Sequence, residues 1–165
     1  MDNDVYTAPQ AELVDPSNEN NALASRWKRL WASMLDGLIM SVVTVPAMYF
    51  TGGFDGISKG VQPSLEYSFM IAVIGIVAFV IVNIKLLVNH GQTIGKKVLS
   101  IKIVDLDGNL PGMKKHLLKR YAVYFLPGQI PFGGQFFSML NILFIFGKEK
   151  RCIHDLVAET KVVMA

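Results

Sequence analysis

The sequence predicts an all-α membrane protein with two spanning helices, a broken third hydrophobic region and a small two-stranded cytoplasmic β element. Three observations carry that prediction. Leu30–Phe50 is a run of 21 residues with a single charge, Asp36, matching the ~20 apolar residues that cross a bilayer. A second helical stretch, Glu66–Val88, has an uninterrupted apolar body from Phe69 to Val82. Across its 165 residues the chain is 52% hydrophobic and only 18% charged, a balance unusual for a soluble domain.

Taken in order, residues 1–24 are polar, lack sustained periodicity and contain five acids with no lysine or arginine. They predict a disordered acidic cytoplasmic tail, with the transmembrane domain filling 25–165. The net charge of +3 therefore divides into −5 in the tail and +8 in the body. The body's positive charges flank apolar spans, which points to membrane orientation rather than to nucleic acid. The acidic, polar start of the chain does not read as a cleavable signal, so none is expected before the body.

The first span opens with Arg26, Lys28 and Arg29, marking its cytoplasmic end. A carboxylate within a span costs ~2.5–3.5 kcal/mol on insertion scales and turns toward protein. Asp36 stands two helical turns below Arg29 on nearly the same face. Ser33, Gly37 and Ser41 form a small-xxx-small series there that predicts a closely packed partner helix. Residues 51–64, with four glycines and Pro63, read as a short outer loop. On the second span Ser68, Ala72, Gly75, Phe79 and Asn83 share a face. Asn83 lies at the depth of Asp36, and its amide has two candidate partners: that carboxylate or a backbone carbonyl.

Between 89 and 120 the lysines and Arg120 outnumber Asp105 and Asp107, placing this loop inside the cell. Within it Val98–Val104 is β-branched and ends at the turn signal Asp107-Gly108-Asn109. It is expected to pair with the similar run Thr160–Val163. Pro111 then opens a basic amphipathic stretch, with Leu117, Leu118, Tyr121 and Phe125 suited to the bilayer surface. The third hydrophobic region, Tyr121–Phe146, is interrupted at Pro127-Gly128 and again at Pro131–Gly134. Its 26 residues exceed one span and fall short of two. It either crosses once or returns as a re-entrant hairpin. The positive charges that follow at Lys148, Lys150 and Arg151 favour the hairpin, with the C-terminus inside.

Little in the chain points to catalysis, a cofactor or a metal. Gly91-Gln92-Thr93-Ile94-Gly95-Lys96-Lys97 has three residues between its glycines, where a phosphate loop needs four, and a lysine where the loop needs a hydroxyl. The histidines, His90, His116 and His154, lack paired ligand spacing. Cys152 is the sole cysteine and reads as a small buried or interfacial residue. Asp155 is expected to cap a helix or to pair with Lys150 or Arg151. The chain is therefore not expected to be an enzyme.

Four motifs in this order resemble the RDD family of small bacterial membrane proteins, named for one arginine and two aspartates. They are RLWASMLD at 29–36, GQTIGK at 91–96, VLSIKIVDLDG at 98–108 and IHDLVAETKVV at 153–163. The resemblance covers about 22–165 and maps the arginine to Arg29 and the aspartates to Asp36 and Asp155. Two departures stand out. Gly37 occupies a position near Asp36 where many members carry a second acid or polar group, and Glu159 replaces the family's usual glycine. The resemblance implies a multi-pass protein of the bacterial inner membrane, N-terminus cytoplasmic, that transports ions or small solutes. Its partners would be the lipid bilayer and a second copy or another membrane protein, with no nucleic acid. An ion or substrate site would then be built from Arg29, Asp36, Asn83 and Asp155. The alternative is a non-transporting adaptor or assembly protein in which Arg29, Asp36 and Asp155 are structural.

Overall fold

The structure, a computed structural model, describes residues 22–56, 59–129, 133–147 and 150–165. Two long helices dominate it, α1 (Arg26–Phe50) and α2 (Leu65–His90). Serines start both: Ser25 Oγ accepts from Lys28 N (3.2 Å) and Ser64 Oγ from Tyr67 N (3.2 Å), satisfying otherwise unpaired first-turn donors. At 25 and 26 residues they exceed the ~30 Å hydrocarbon thickness of a bilayer. Their outward side chains are apolar, as at Trp31, Leu38, Val42 and Phe69, and Ile81 is 72% exposed. So much bare apolar surface belongs in lipid rather than in water.

Helix α2 stops at Gly91, whose φ of 65° is left-handed. A Cβ here would collide with the Ile103 carbonyl, and the Ile103 amide donates to Gly91 O (2.7 Å). That glycine therefore joins the end of α2 to strand β1 (Ile101–Asp105). Between them Thr93 caps a one-turn helix, α3 (Ile94–Val98). Val98 is thus helical, and the strand starts three residues later than its β-branched run suggests. The expected pairing is present: β1 runs antiparallel to β2 (Thr160–Met164), with Ile103 opposite Val162 and Ile101 opposite Met164. Residues 22–24, read from sequence as tail, lie along the other edge of β2. Ala24 N donates to Val162 O (2.9 Å) and Met164 N to Ala22 O (3.0 Å). The rest of the expected tail, 1–21, lies outside the described residues.

Ile101, Ile103 and Val162 pack with Ala32 of α1, Phe79 and Leu87 of α2, and Leu117 to form the core. Gly75 faces Thr44 across the α1–α2 contact, as its position on the small face predicted. The matching expectation for α1 is corrected. Ser33 is exposed and a Cβ added at Gly37 would meet nothing within 4 Å beyond its own helix backbone. Close approach occurs one position round the helix at Ala32, against α3.

After a π-helical turn at Met113–Leu117, the third region is α4 (Leu118–Phe125), a 3-10 turn at Pro127–Gln129 and α5 (Gly133–Leu143). Eight and 11 residues give lengths of ~12 and ~16 Å, neither enough to cross. Pro131 and Phe132 lie outside the described residues. Gly134 sits against the turn, where an added Cβ would be 3.0 Å from Gly128. The region's two ends come together: Arg120 at its start and Cys152 just beyond its end both reach the last short helix, α6 (Ile153–Val157). Arg26 Nε also donates to Ile145 O (3.1 Å), tying the outgoing end to the start of α1.

The turn from α6 to β2 puts a cost on the departure at 159. Glu159 has φ 52°, a conformation costing a non-glycine residue ~1–2 kcal/mol. Its contact with Lys115 (3.8 Å) is between exposed side chains and worth little. Glu159→Gly should raise stability by about 0.5–1 kcal/mol after the entropy of a new glycine is counted. A thermal melt in detergent that moved downward would refute the strain argument.

Candidate functional site

Asp36 does not pair with Arg29 or Asn83. Its carboxylate reaches across to the 93–96 turn, where Thr93 Oγ1 donates to Oδ2 (2.5 Å) and Gly95 N to Oδ1 (2.8 Å). Lys96 Nζ stands 3.8 Å from Oδ2. Burial of the Lys96 ammonium pulls its pKa from 10.5 down to about 8, against the opposing pull of Asp36. Gly95 makes this approach possible, because a Cβ would strike Ala32 O and lie 2.9 Å from Asp36 Oδ1. Asn83 supports the same turn from α2. Its Oδ1 accepts from Ile94 N (3.0 Å) and its Nδ2 donates to Phe79 O (3.1 Å). Asp36 and Asn83 thus meet the same loop and share no hydrogen bond.

Arg29 turns away from Asp36 toward the C-terminal segment. It pairs with Asp155, donates to Lys150 O and contacts Cys152 Sγ (3.6 Å). Arg120 takes the other Asp155 oxygen and also donates to Thr160 Oγ1 (2.7 Å). Cys152 N donates to Asp155 Oδ2 (3.0 Å), so the carboxylate caps α6 as well. Lys150 and Arg151 are not its side-chain partners: Lys150 supplies a carbonyl to Arg29, and Arg151 donates to Asp155 O (3.3 Å). Both arginines and Asp155 are buried. Burial opposes the charge on Asp155, but Arg120 and then Arg29 outweigh it and hold the carboxyl below the usual carboxylate range. His154 completes the cluster as a neutral ring. Nδ1 donates to Asn141 Oδ1 (3.0 Å), and Nε2 accepts from Arg120 Nη2 (3.2 Å). Burial, reinforced by Arg120, lowers its pKa from 6.5 to about 3.

Cys152, His154 and Asp155 offer ligand atoms within 4.8 Å of one another, but the set does not suit a metal ion. Two guanidinium groups already occupy the carboxylate, and both imidazole nitrogens have partners. What the two clusters enclose is a cavity of about 90 Å³. Asp36, Thr93 and Lys96 line one part of it, Arg29, Arg120 and His154 another, and Tyr121 lies on its wall. Asp155 and Asn83 stand behind the lining, holding residues that form it.

The pKa shifts give the site a definite acid response. A buried neutral His154 stabilises the fold above pH 6.5 and loses that contribution as pH falls toward about 3. The lowered Asp155 contributes above its ordinary value of 3.8 and loses its effect at still lower pH. Lys96 adds a cost below about pH 8 that fades as pH rises toward 10.5. Melting temperature should therefore fall progressively below pH 6 and rise modestly above pH 8, and a flat profile from pH 7 to 4 would contradict the arrangement.

Of the residues singled out from sequence, Arg29 with Asp155 form one cluster, while Asp36 with Asn83 converge on one loop. Sequence reasoning missed Arg120, Lys96 and Asn141. Arg120 had a readable signal. It falls on the stripe of Leu117, Tyr121 and Tyr124, the apolar side of the helix, while Lys119 takes the wet side. Neither the curated proteins nor the solved structures yield a match. The model of the RDD family matches residues 23–159, spanning Arg29, Asp36, the 91–96 turn and Asp155 in one alignment, and the chain belongs to that family.

Proposed function

We propose that this RDD-family protein moves a small ion or solute across the bacterial inner membrane, using the Asp36–Lys96 pair as its exchangeable element. The observation that carries this reading is the cavity, which brings an ionised pair from the first span and its facing loop against two buried arginines. The pair is loosely held at 3.8 Å, and Lys96 can release its proton near neutral pH. Burial disfavours the charged ammonium, so gain of a proton at Lys96 favours its exposure to water and movement of α3 away from α1. A proton step is thereby linked to opening of the cavity. Arg29 and Arg120 set the local field, and Asp155 fixes them in place.

The broken third region fits a re-entrant hairpin, since irregular backbone at membrane depth is tolerated beside a cavity. The N-terminus, the sheet and the C-terminus are then cytoplasmic, following the lysine and arginine distribution. Two spans and a hairpin make a thin path, so the working form is an oligomer. The adaptor reading draws on a specific observation: every oxygen of Asp36 and Asp155 already has a protein partner. Purified protein in liposomes with an internal pH dye separates the two. Transport predicts an ion-driven pH change above that of empty liposomes, and an adaptor predicts none.

A further inference from the structure

We propose that the cavity is a binding site for a small monovalent anion, held between the Lys96 ammonium and the Tyr121 hydroxyl. The first argument is charge. The cluster around the cavity contains three cationic groups, Arg29, Lys96 and Arg120, against two carboxylates, Asp36 and Asp155. Of the other titratable groups on the cavity, His154 is neutral by its hydrogen bonds, and Cys152, Tyr121 and Tyr124 carry no charge at pH 7. One positive charge is left over, and an uncompensated charge out of water is costly.

Coverage gives the second argument. Both Asp36 oxygens are taken by Thr93 Oγ1 and Gly95 N, and both Asp155 oxygens by guanidinium groups. The negative charges are thus screened from the cavity by their own partners. Lys96 is the loosely held member, with Thr93 Oγ1 at 3.4 Å and Asp36 at 3.8 Å. It has donors to spare.

The third argument is an orphan. Tyr121 Oη is buried with no hydrogen-bond partner among the described residues, although buried hydroxyls are normally satisfied. It belongs to a residue lining the same cavity as Lys96. A donor without an acceptor beside surplus positive charge is the chemistry that receives a halide or a carboxylate as small as formate. At about 90 Å³ the space admits such an ion with water and excludes larger organic anions.

This inference shares its cavity with the transport reading and is tested without flux. The full chain in detergent is melted in sodium chloride or sodium gluconate mixtures at one ionic strength and pH 7. Chloride should raise the melting temperature saturably, and ³⁵Cl line broadening should saturate over the same range. Lys96→Gln should abolish both effects. Tyr121→Phe, which changes one hydroxyl, should weaken chloride binding several-fold while leaving the fold intact. Because Lys96 titrates near 8, chloride affinity should fall about tenfold from pH 7 to pH 9. No saturable chloride effect in the parent, as when water alone fills the cavity, would overturn the proposal. An unchanged effect in both variants would do the same. Chloride binding with no flux in liposomes would retain the site and remove transport.

Discussion

Asp155→Asn should be the most damaging conservative change in the chain, costing about 3–5 kcal/mol. The carboxylate is fully buried between Arg29 and Arg120 and also caps α6. An amide at this position cannot neutralise two guanidinium groups, and its NH₂ would face one of them. Breaking a buried pair from one side leaves charge without compensation, whereas removing both sides is far milder. Arg120→Gln in the Asp155→Asn background should therefore recover part of the loss, a coupling that a double-mutant cycle reads directly. On melting, the single variant should drop by about 8–15 °C. A shift below 2 °C would mean the cluster does not hold the C-terminal segment.

Gly95→Ala should come second, at about 3 kcal/mol, the upper part of the range for overpacking. The new methyl would meet the Ala32 carbonyl, a backbone atom in the middle of a helix, and lie 2.9 Å from Asp36 Oδ1. Neither can yield without moving α3 off α1, and that motion breaks the Gly95 N bond to Asp36 (2.8 Å). The control is Gly37→Ala, five residues further along α1 than Ala32, where an added Cβ would meet nothing within 4 Å beyond its own helix backbone. It should melt at the parent's temperature or a few degrees above it, since alanine favours a helix over glycine. Equal stability of the two alanine variants would refute the close approach.

The features legible in the sequence were those set by local pattern. Both long helices follow from unbroken apolar runs, and the sheet from two β-branched segments too short to stand alone. Counting residues along two antiparallel spans set Asn83 near Asp36, and both do reach the 93–95 turn. The partners were harder, since a pair such as Asp36–Thr93 or Arg29–Asp155 joins positions 57 and 126 residues apart. Arg29 looked like the partner of Asp36 because two turns of one helix align them. An arginine side chain is long enough to leave that stripe, and Asp155 captures it from outside the helix. Lys96 was hidden for a different reason: the 91–96 segment was read for phosphate binding. Its short helix does receive an anion, and that anion is the carboxylate of Asp36.

Under the proposed function labour is divided, with Asp155 holding the structure and Asp36 performing the exchange. The most direct test is Asp36→Asn, measured for both melting temperature and ion-driven pH change in liposomes. The amide keeps an oxygen for Gly95 N and can still bond Thr93, so the fold should survive within a few degrees of the parent. What it lacks is the charge that answers Lys96. The account predicts a folded protein with no flux above empty liposomes. Parent-level flux from a well-folded Asp36→Asn protein would contradict it.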